Sequence, residues 1–159
     1  MDPDLTIREA TNADIEPIRQ LVFSVLEEYN LKPDPCSTDM DLDDIEENYA
    51  RNNGYFIVVE KEKTIVATMG LKRISNDTCE LRKMYAYRSV RGKGLGRYLL
   101  EHAIARAGKL GYTRIILETA TQLKEAISLY KKYGFIEFYP DSISKRCDQA
   151  YELILDKKH

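Results

Sequence analysis

The chain predicts a mixed α/β fold, with antiparallel hairpins in its first half and a strand–helix–strand unit in its second. Three observations carry this reading. Apolar residues at helical spacing dominate the start. After Asn53-Gly54 they give way to YFIVVE and TIVATMGLKRI, runs rich in branched and aromatic side chains. Further on, the strand-like CELRKMYAY enters a loop with glycine at 92, 94 and 96 and resumes as an amphipathic helix.

Taken in order, LTIRE (5–9) reads as a first strand. TNADIEPIRQLVFSVLEEY opens with Thr11 and Asp14 in a capping-box pattern, and Ile15, Ile18, Val22, Val25, Leu26 and Tyr29 recur on one helical face. Pro33 and Pro35 punctuate a loop. DLDDIEENY, with Leu42, Ile45 and Tyr49 on one face and acids elsewhere, predicts a second, shorter helix. YFIVVE and TIVATMGLKRI, separated by the polar KEK, make a hairpin. SNDT turns the chain into the strand 79–87. A helix over 95–110 presents Leu95, Leu99, Ala103, Ile104, Ala107 and Leu110, and Gly111 is placed to stop it. RIILET (114–119) reads as a buried central strand, 123–133 as a helix ending at Gly134, and FIEFY and AYELIL as two closing strands.

The 159 residues predict one domain spanning 1–159. A hydrophobic share of 43% and a charged share of 31% place the chain among ordinary soluble proteins. A formal charge of −2 argues against a nucleic-acid partner, and with no apolar run of about 18 residues no membrane partner is expected. The start, MDPDLTIREA, lacks the basic and apolar regions of a signal peptide, so the expected location is cytoplasmic. Cys36, Cys79 and Cys147 are odd in number and widely spaced, which suggests neither a disulfide framework nor a metal site. His102 and His159 lie far apart, and neither receives a role.

RGKGLG (91–96) is the stretch that carries chemistry. A Walker loop needs a Lys-Ser or Lys-Thr pair that is absent here, and a dinucleotide fingerprint starting at Gly92 needs glycine where Arg97 stands. What remains is an anion cradle at a helix mouth, or a tight turn that happens to use glycine. Small residues let backbone N–H groups reach a ligand, the helix dipole adds positive potential, and Arg91, Lys93 and Arg97 increase it.

R-x-x-G-x-G (Arg91, Gly94, Gly96), after a strand and opening a helix, resembles motif A of the GNAT N-acetyltransferases. EAISLYKKYGF (125–135) resembles that family's second signature, A-x-x-L-Y-x-x-x-G-F, at the separation the family uses. The resemblance covers Glu80 to Phe138 by motif and the rest by order of elements. It implies a mostly antiparallel sheet of about seven strands with one splayed parallel pair, flanked by about four helices. It also implies acetyl-CoA as acyl donor, bound between 79–87 and 114–119, and no metal. By the same resemblance, the pyrophosphate rests on the loop Arg91, Gly92, Lys93, Gly94, Leu95, Gly96 and Arg97. The pantetheine arm pairs with strand backbone at Met84, Tyr85 and Ala86, with the Met84 amide as oxyanion donor.

Acetyl transfer to an amine needs a base, since an alkyl ammonium has a pKa of about 10.4, and an acid for the departing thiolate. Tyr130 falls on the signature tyrosine and is by resemblance that acid. Glu80, eleven residues before Arg91, is the candidate base, with a surface pairing to Arg82 as the plain alternative. Glu118 is the runner-up, and a water chain is a further option. Relatives often carry asparagine seven residues before the acid tyrosine, where this chain has Leu123, beside Gln122.

The acceptor is expected to be a small-molecule or peptide amine, and a homodimer is allowed for. The pocket's walls fall on LKPDPCSTDMDLDDIEE and PDSISKRCDQ. Acid density from Asp39 to Glu47 suits a cationic amine or simply a solvated helix face, while Lys145 and Arg146 suit an acceptor with a carboxylate. The different-class alternative is a non-catalytic acyl-CoA sensor or interaction module.

Overall fold

The computed structural model describes residues 2–156, so His159 lies outside the described residues. One sheet of seven strands organises them: β1 (Leu5–Glu9), β2 (Tyr55–Lys61), β3 (Thr64–Arg73), β4 (Thr78–Ala86), β5 (Arg114–Thr119), β6 (Ile136–Phe138) and β7 (Gln149–Ile154), in the order β1-β2-β3-β4-β5-β7-β6. Every neighbouring pair is antiparallel except β4 with β5. Four helices flank it: α1 (Ile15–Glu28), α2 (Ile45–Asn48), α3 (Leu95–Lys109) and α4 (Lys124–Lys132).

Alternation along the strands builds two apolar layers. Ile57, Val59, Cys79, Leu81, Ile115 and Leu117 pack with Leu95, Leu99 and Ala103 of α3 and Ile127 of α4. Phe56 and Val58 pack on the other face with Ile18, Leu21, Val22 and Leu26 of α1 and with Leu42, Ile45 and Tyr49. The α1 entry is the capping box read from the sequence: Thr11 Oγ1 accepts from Ala13 N–H, and Asp14 Oδ2 accepts from Thr11 N–H at 2.9 Å. Gly111 and Gly134 follow α3 and α4 with φ of +96° and +93°, the left-handed exits that end a helix.

The second helix differs from its expectation. DLDDIEENY forms a 3-10 turn at Met40–Asp43 and a single turn, α2, divided at Asp44 (φ −150°, ψ 91°). Asp44 caps instead of continuing, accepting from Glu47 N–H at 3.0 Å, because a short carboxylate competes for backbone donors in extended geometry. Nor are the acids all outward: Asp39 and Asp41 are buried.

Two irregularities set the path of β4. Pairing with β5 covers only Thr78–Glu80 against Arg114–Ile116, and beyond Glu80 the two strands part. Against β3 the register shifts between Thr68 and Gly70. Lys83 opposite has φ +56°, and its carbonyl accepts from Thr68 Oγ1 at 2.6 Å. This bulge reverses the facing of β4 midway, so Glu80, Arg82 and Lys83 all reach toward the segment 34–43.

Candidate active site

The opening of α3 is a row of free amides. Its first helical bond runs from Tyr98 N–H to the Gly94 carbonyl at 3.0 Å, so Leu95, Gly96 and Arg97 have no intrahelical acceptor, and no side chain among the described residues caps them. Gly92 and Gly94 have φ of +78° and +83°, which side-chain-bearing residues adopt at a cost. A Cβ at Gly96 would meet Leu129 Cδ2 at 3.6 Å, an ordinary contact, so the fold itself does not require glycine there. Lys93 and Arg97 make no ion pair among the described residues. Arg91 departs from its expected role. Its guanidinium forms a two-pronged pair with Glu28 (2.6 and 2.8 Å), and Nε donates to the Ala86 carbonyl at 2.8 Å. Chiefly through that bond, Glu28 is held down at about 2. Arg91 therefore fastens the loop to α1 and spends its charge there.

From this mouth a cleft of about 360 Å³ runs between the parted strands. Met84, Tyr85 and Ala86 line one side, Thr119 and Leu123 the other, with Leu129 and Tyr130 of α4 alongside. Tyr87 N–H donates to Val66 O, so antiparallel alternation turns the amides of Ala86 and Met84 away from β3, toward the cleft. The Ala86 carbonyl keeps one lone pair beside its bond from Arg91. Tyr130 is buried against Phe135, with ring centroids 5.7 Å apart, and burial, with Tyr85 and Cys147 nearby, pushes its phenol pKa up. Leu123, where the signature pattern offers an amide side chain, is an apolar lining residue.

Glu80 and Glu118 close the far end, on the two strands where they part. The Glu80 carboxylate makes no hydrogen bond among the described residues, and its nearest cation among them is Arg82, Oε1 to Nε 3.8 Å. Burial raises its pKa; Arg82 opposes this and Glu118 adds to it. Glu118 Oε1 accepts from Ser144 N–H at 3.1 Å. Behind them lies a buried ionic group that sequence reading did not foresee. Lys83 Nζ sits 3.1 Å from both Asp39 and Asp41, and Arg146 forks onto Asp39 at 2.7 and 2.8 Å. Asp39 and Asp41 thus meet internal cations, which corrects the expectation of a solvated or amine-attracting face for these two acids, while Asp43 and Glu47 of the same segment are exposed. A second cavity of about 420 Å³, among Asp34, Ser37, Arg82, Ser142, Ser144 and Lys145, joins the cleft at Glu80 and Glu118.

Comparison with known proteins agrees with this fold. The family model described as Acetyltransferase (GNAT) family matches residues 21–135. Uncharacterized N-acetyltransferase YjgM of Escherichia coli is 37% identical over 134 residues, covering 81% of this chain and 80% of its own. The chain belongs to the GNAT acetyltransferase family. A solved GNAT acetyltransferase from Staphylococcus aureus is 26% identical with a TM-score of 0.88, covering 96% of this chain and 99% of that one. YncA of Salmonella typhimurium, solved with its cofactor acetyl-CoA, shares the fold (22% identical, TM-score 0.75, 98% and 96% covered).

In this GNAT chain, every residue named from the sequence as catalytic or donor-binding borders one cleft except Lys93, which lies on the loop at its mouth; Lys145, named for the acceptor, lines the second cavity. Ser144 and Cys147 line the cleft from the segment 140–149 expected to wall the acceptor pocket, and Thr119 lines it without having carried a signal in the sequence. Arg82 did carry one: two positions from Glu80 on a strand, it had to share that face. His102 stands apart, its Nε2 3.0 Å from the Tyr55 hydroxyl and its ring stacked with Tyr98. No helix among the described residues is long and apolar enough to cross a membrane, and no group of three or more His, Cys, Asp and Glu among them has metal-site geometry.

Proposed function

We propose that this GNAT chain, acting as one domain over 1–159, moves the acetyl group of acetyl-CoA directly to a primary amine while both substrates are bound. The parting of β4 and β5 beyond Glu80 is the observation that supports this most. It opens a channel from a free-amide helix mouth, past outward-turned strand amides, to two carboxylates. The residues fit the donor. Amides of the loop Arg91–Arg97 face a pyrophosphate, Lys93 and Arg97 supply charge, and Gly96 leaves room the fold does not need. Backbone at Met84 and Ala86 pairs with the amide-bearing pantetheine arm as an added strand would, with Tyr85 between them.

Acetyl-CoA supplies an activated thioester carbonyl. The Met84 amide donates to its oxygen as negative charge grows there. Glu80, which burial makes a stronger base than an exposed carboxylate, takes the proton the incoming ammonium must lose, with Glu118 beside it. Tyr130 keeps its proton at neutral pH and donates to the departing sulfur. An ordinary thiol titrates near 8.5, below a buried phenol, so hydrogen bonding to sulfur is the larger part of that role.

Calorimetric titration with acetyl-CoA, followed by thiol release over an amine panel, tests the reading. Saturable binding that free coenzyme A competes for, with turnover of at least one amine, is the expected result. Binding without turnover of any amine would make the protein an acyl-CoA sensor, and no binding would remove the site altogether.

A further inference from the structure

We propose that the acetyl acceptor is an α-amino acid, its carboxylate held by Arg82 and its amine presented to Glu80. The proposal rests on the acetyltransferase reading and names its substrate class. Of the cations near the acceptor cavity, Arg146 is consumed by its fork onto Asp39 and Lys83 by Asp39 and Asp41. Lys145 stands on the exposed rim. Arg82 is different. Its side chain is only 18% exposed, it lines both cavities, and its one side-chain hydrogen bond among the described residues runs from Nη2 to the Thr38 carbonyl. The nearest carboxylate oxygens, Glu80 Oε1 at 3.8 Å from Nε and Asp41 Oδ1 at 3.9 Å from Nη2, lie beyond hydrogen-bond reach.

Nε and Nη1 therefore remain unbonded. Among the described residues, the one buried side-chain polar atom without a partner is Arg106 Nε, so the free donors of Arg82 open onto the cavity and are not sealed in protein. A planar guanidinium with spare donors in a polar cavity matches a planar carboxylate. The spacing then selects among amines. Arg82 Nε and Glu80 Oε1 are 3.8 Å apart, so one small ligand with its anionic and cationic groups a few bonds apart can engage both at once. An α-amino acid, with one carbon between the two groups, does this. A polyamine has no anion for Arg82, and a lysine side chain within a peptide has none within reach. The other carboxylates are committed: Asp34 Oδ2 accepts from Thr38 Oγ1 and from the Thr38 amide, and Glu118 Oε1 from Ser144 N–H. The acceptor's own side chain would extend toward Ser142 and Lys145, where the second cavity offers about 420 Å³.

The test is thiol release with acetyl-CoA and the purified full chain, over the twenty L-amino acids, their α-carboxamides, spermidine and an end-blocked lysine peptide. At least one amino acid should turn over, with kcat/KM lower by roughly 30-fold for its carboxamide. Arg82→Gln should erase that preference, bringing the acid-to-amide ratio of kcat/KM close to one with acetyl-CoA affinity near wild type, and Arg82→Lys should restore part of it. The wild-type acid-to-amide ratio keeps the test valid if a variant fails to fold. Turnover of spermidine or the peptide without any amino acid overturns this inference and leaves the acetyltransferase reading standing. No turnover of any amine overturns both.

Discussion

Two side chains, Tyr130 and Glu80, stand at opposite ends of the proposed proton traffic, and burial moves both pKa values upward with opposite consequences. For the phenol it secures the protonated form. Tyr130→Phe should lower kcat by about a hundredfold or more while leaving acetyl-CoA affinity nearly unchanged, since only donation to sulfur is lost; equilibrium titration beside steady-state rates checks this. For the carboxyl it strengthens the base but penalises the fold. Glu80 is protonated more readily folded than unfolded, so stability falls as pH rises through its folded pKa. Glu80→Gln should therefore melt higher than wild type at pH 7, an advantage that fades as the pH is lowered through that pKa. It should also lose the acid limb of kcat/KM, which sits above the ordinary carboxylate value of about 4.3. A variant that melts lower at pH 7 would show that Glu80 serves structure through Arg82. Tyr130 was legible from its motif. A raised pKa for Glu80 could be expected from its place beside a cleft, but the depth of its burial could not, because that is set by chain segments distant in sequence.

At the scale of elements, the strand–loop–helix from β4 to α3 separates what the fold needs from what a ligand needs. Gly94 has a left-handed backbone, so Gly94→Ala should cost about 1–2 kcal/mol of stability, read as a lower denaturant midpoint. Gly96 sits in the first turn of α3 with ordinary room for a methyl, and alanine is the better helix former by about 1 kcal/mol. Gly96→Ala should thus match or exceed wild-type stability yet weaken acetyl-CoA binding about tenfold or more, because the methyl would stand where phosphate oxygens approach. Unchanged binding would move the pyrophosphate elsewhere. The strands and the long helices followed from periodicity and glycine exits. The broken helix at Asp44 and the bulge at Lys83 did not, since each answers to a distant partner: the Asn12 side-chain amide, which donates to Asp44, for one, Thr68 and buried carboxylates for the other.

Across the molecule, the group of Asp39, Asp41, Lys83 and Arg146 ties the segment 34–43 to the bulge of β4 and to the residues before β7. It holds the acceptor wall against the strand that carries Met84. Burial pushes the Asp39 carboxyl up, but Arg146 and Lys83 outweigh it and hold its pKa down at about 2. Removing one member leaves the others charged and unpaired, so Asp39→Ala should cost about 3–5 kcal/mol in denaturant unfolding at pH 7. With the folded pKa below the unfolded one, the stability Asp39 contributes is present above about pH 4 and is lost as the pH falls toward 2. Acid titration of wild type against the variant should show the two curves converging across that window.

By itself the sequence determined the element order, the helix-mouth glycines and the signature tyrosine, because periodicity, capping and backbone conformation act over a few neighbouring residues. Tertiary structure alone decided which charges are spent and which are free. Arg91 reaches Glu28 across 63 positions and Arg146 reaches Asp39 across 107, while Arg82, beside Glu80, keeps donors unbonded. The pairing of a charge depends on which distant segment the fold carries to within a few ångströms of it, and no local pattern encodes that distance.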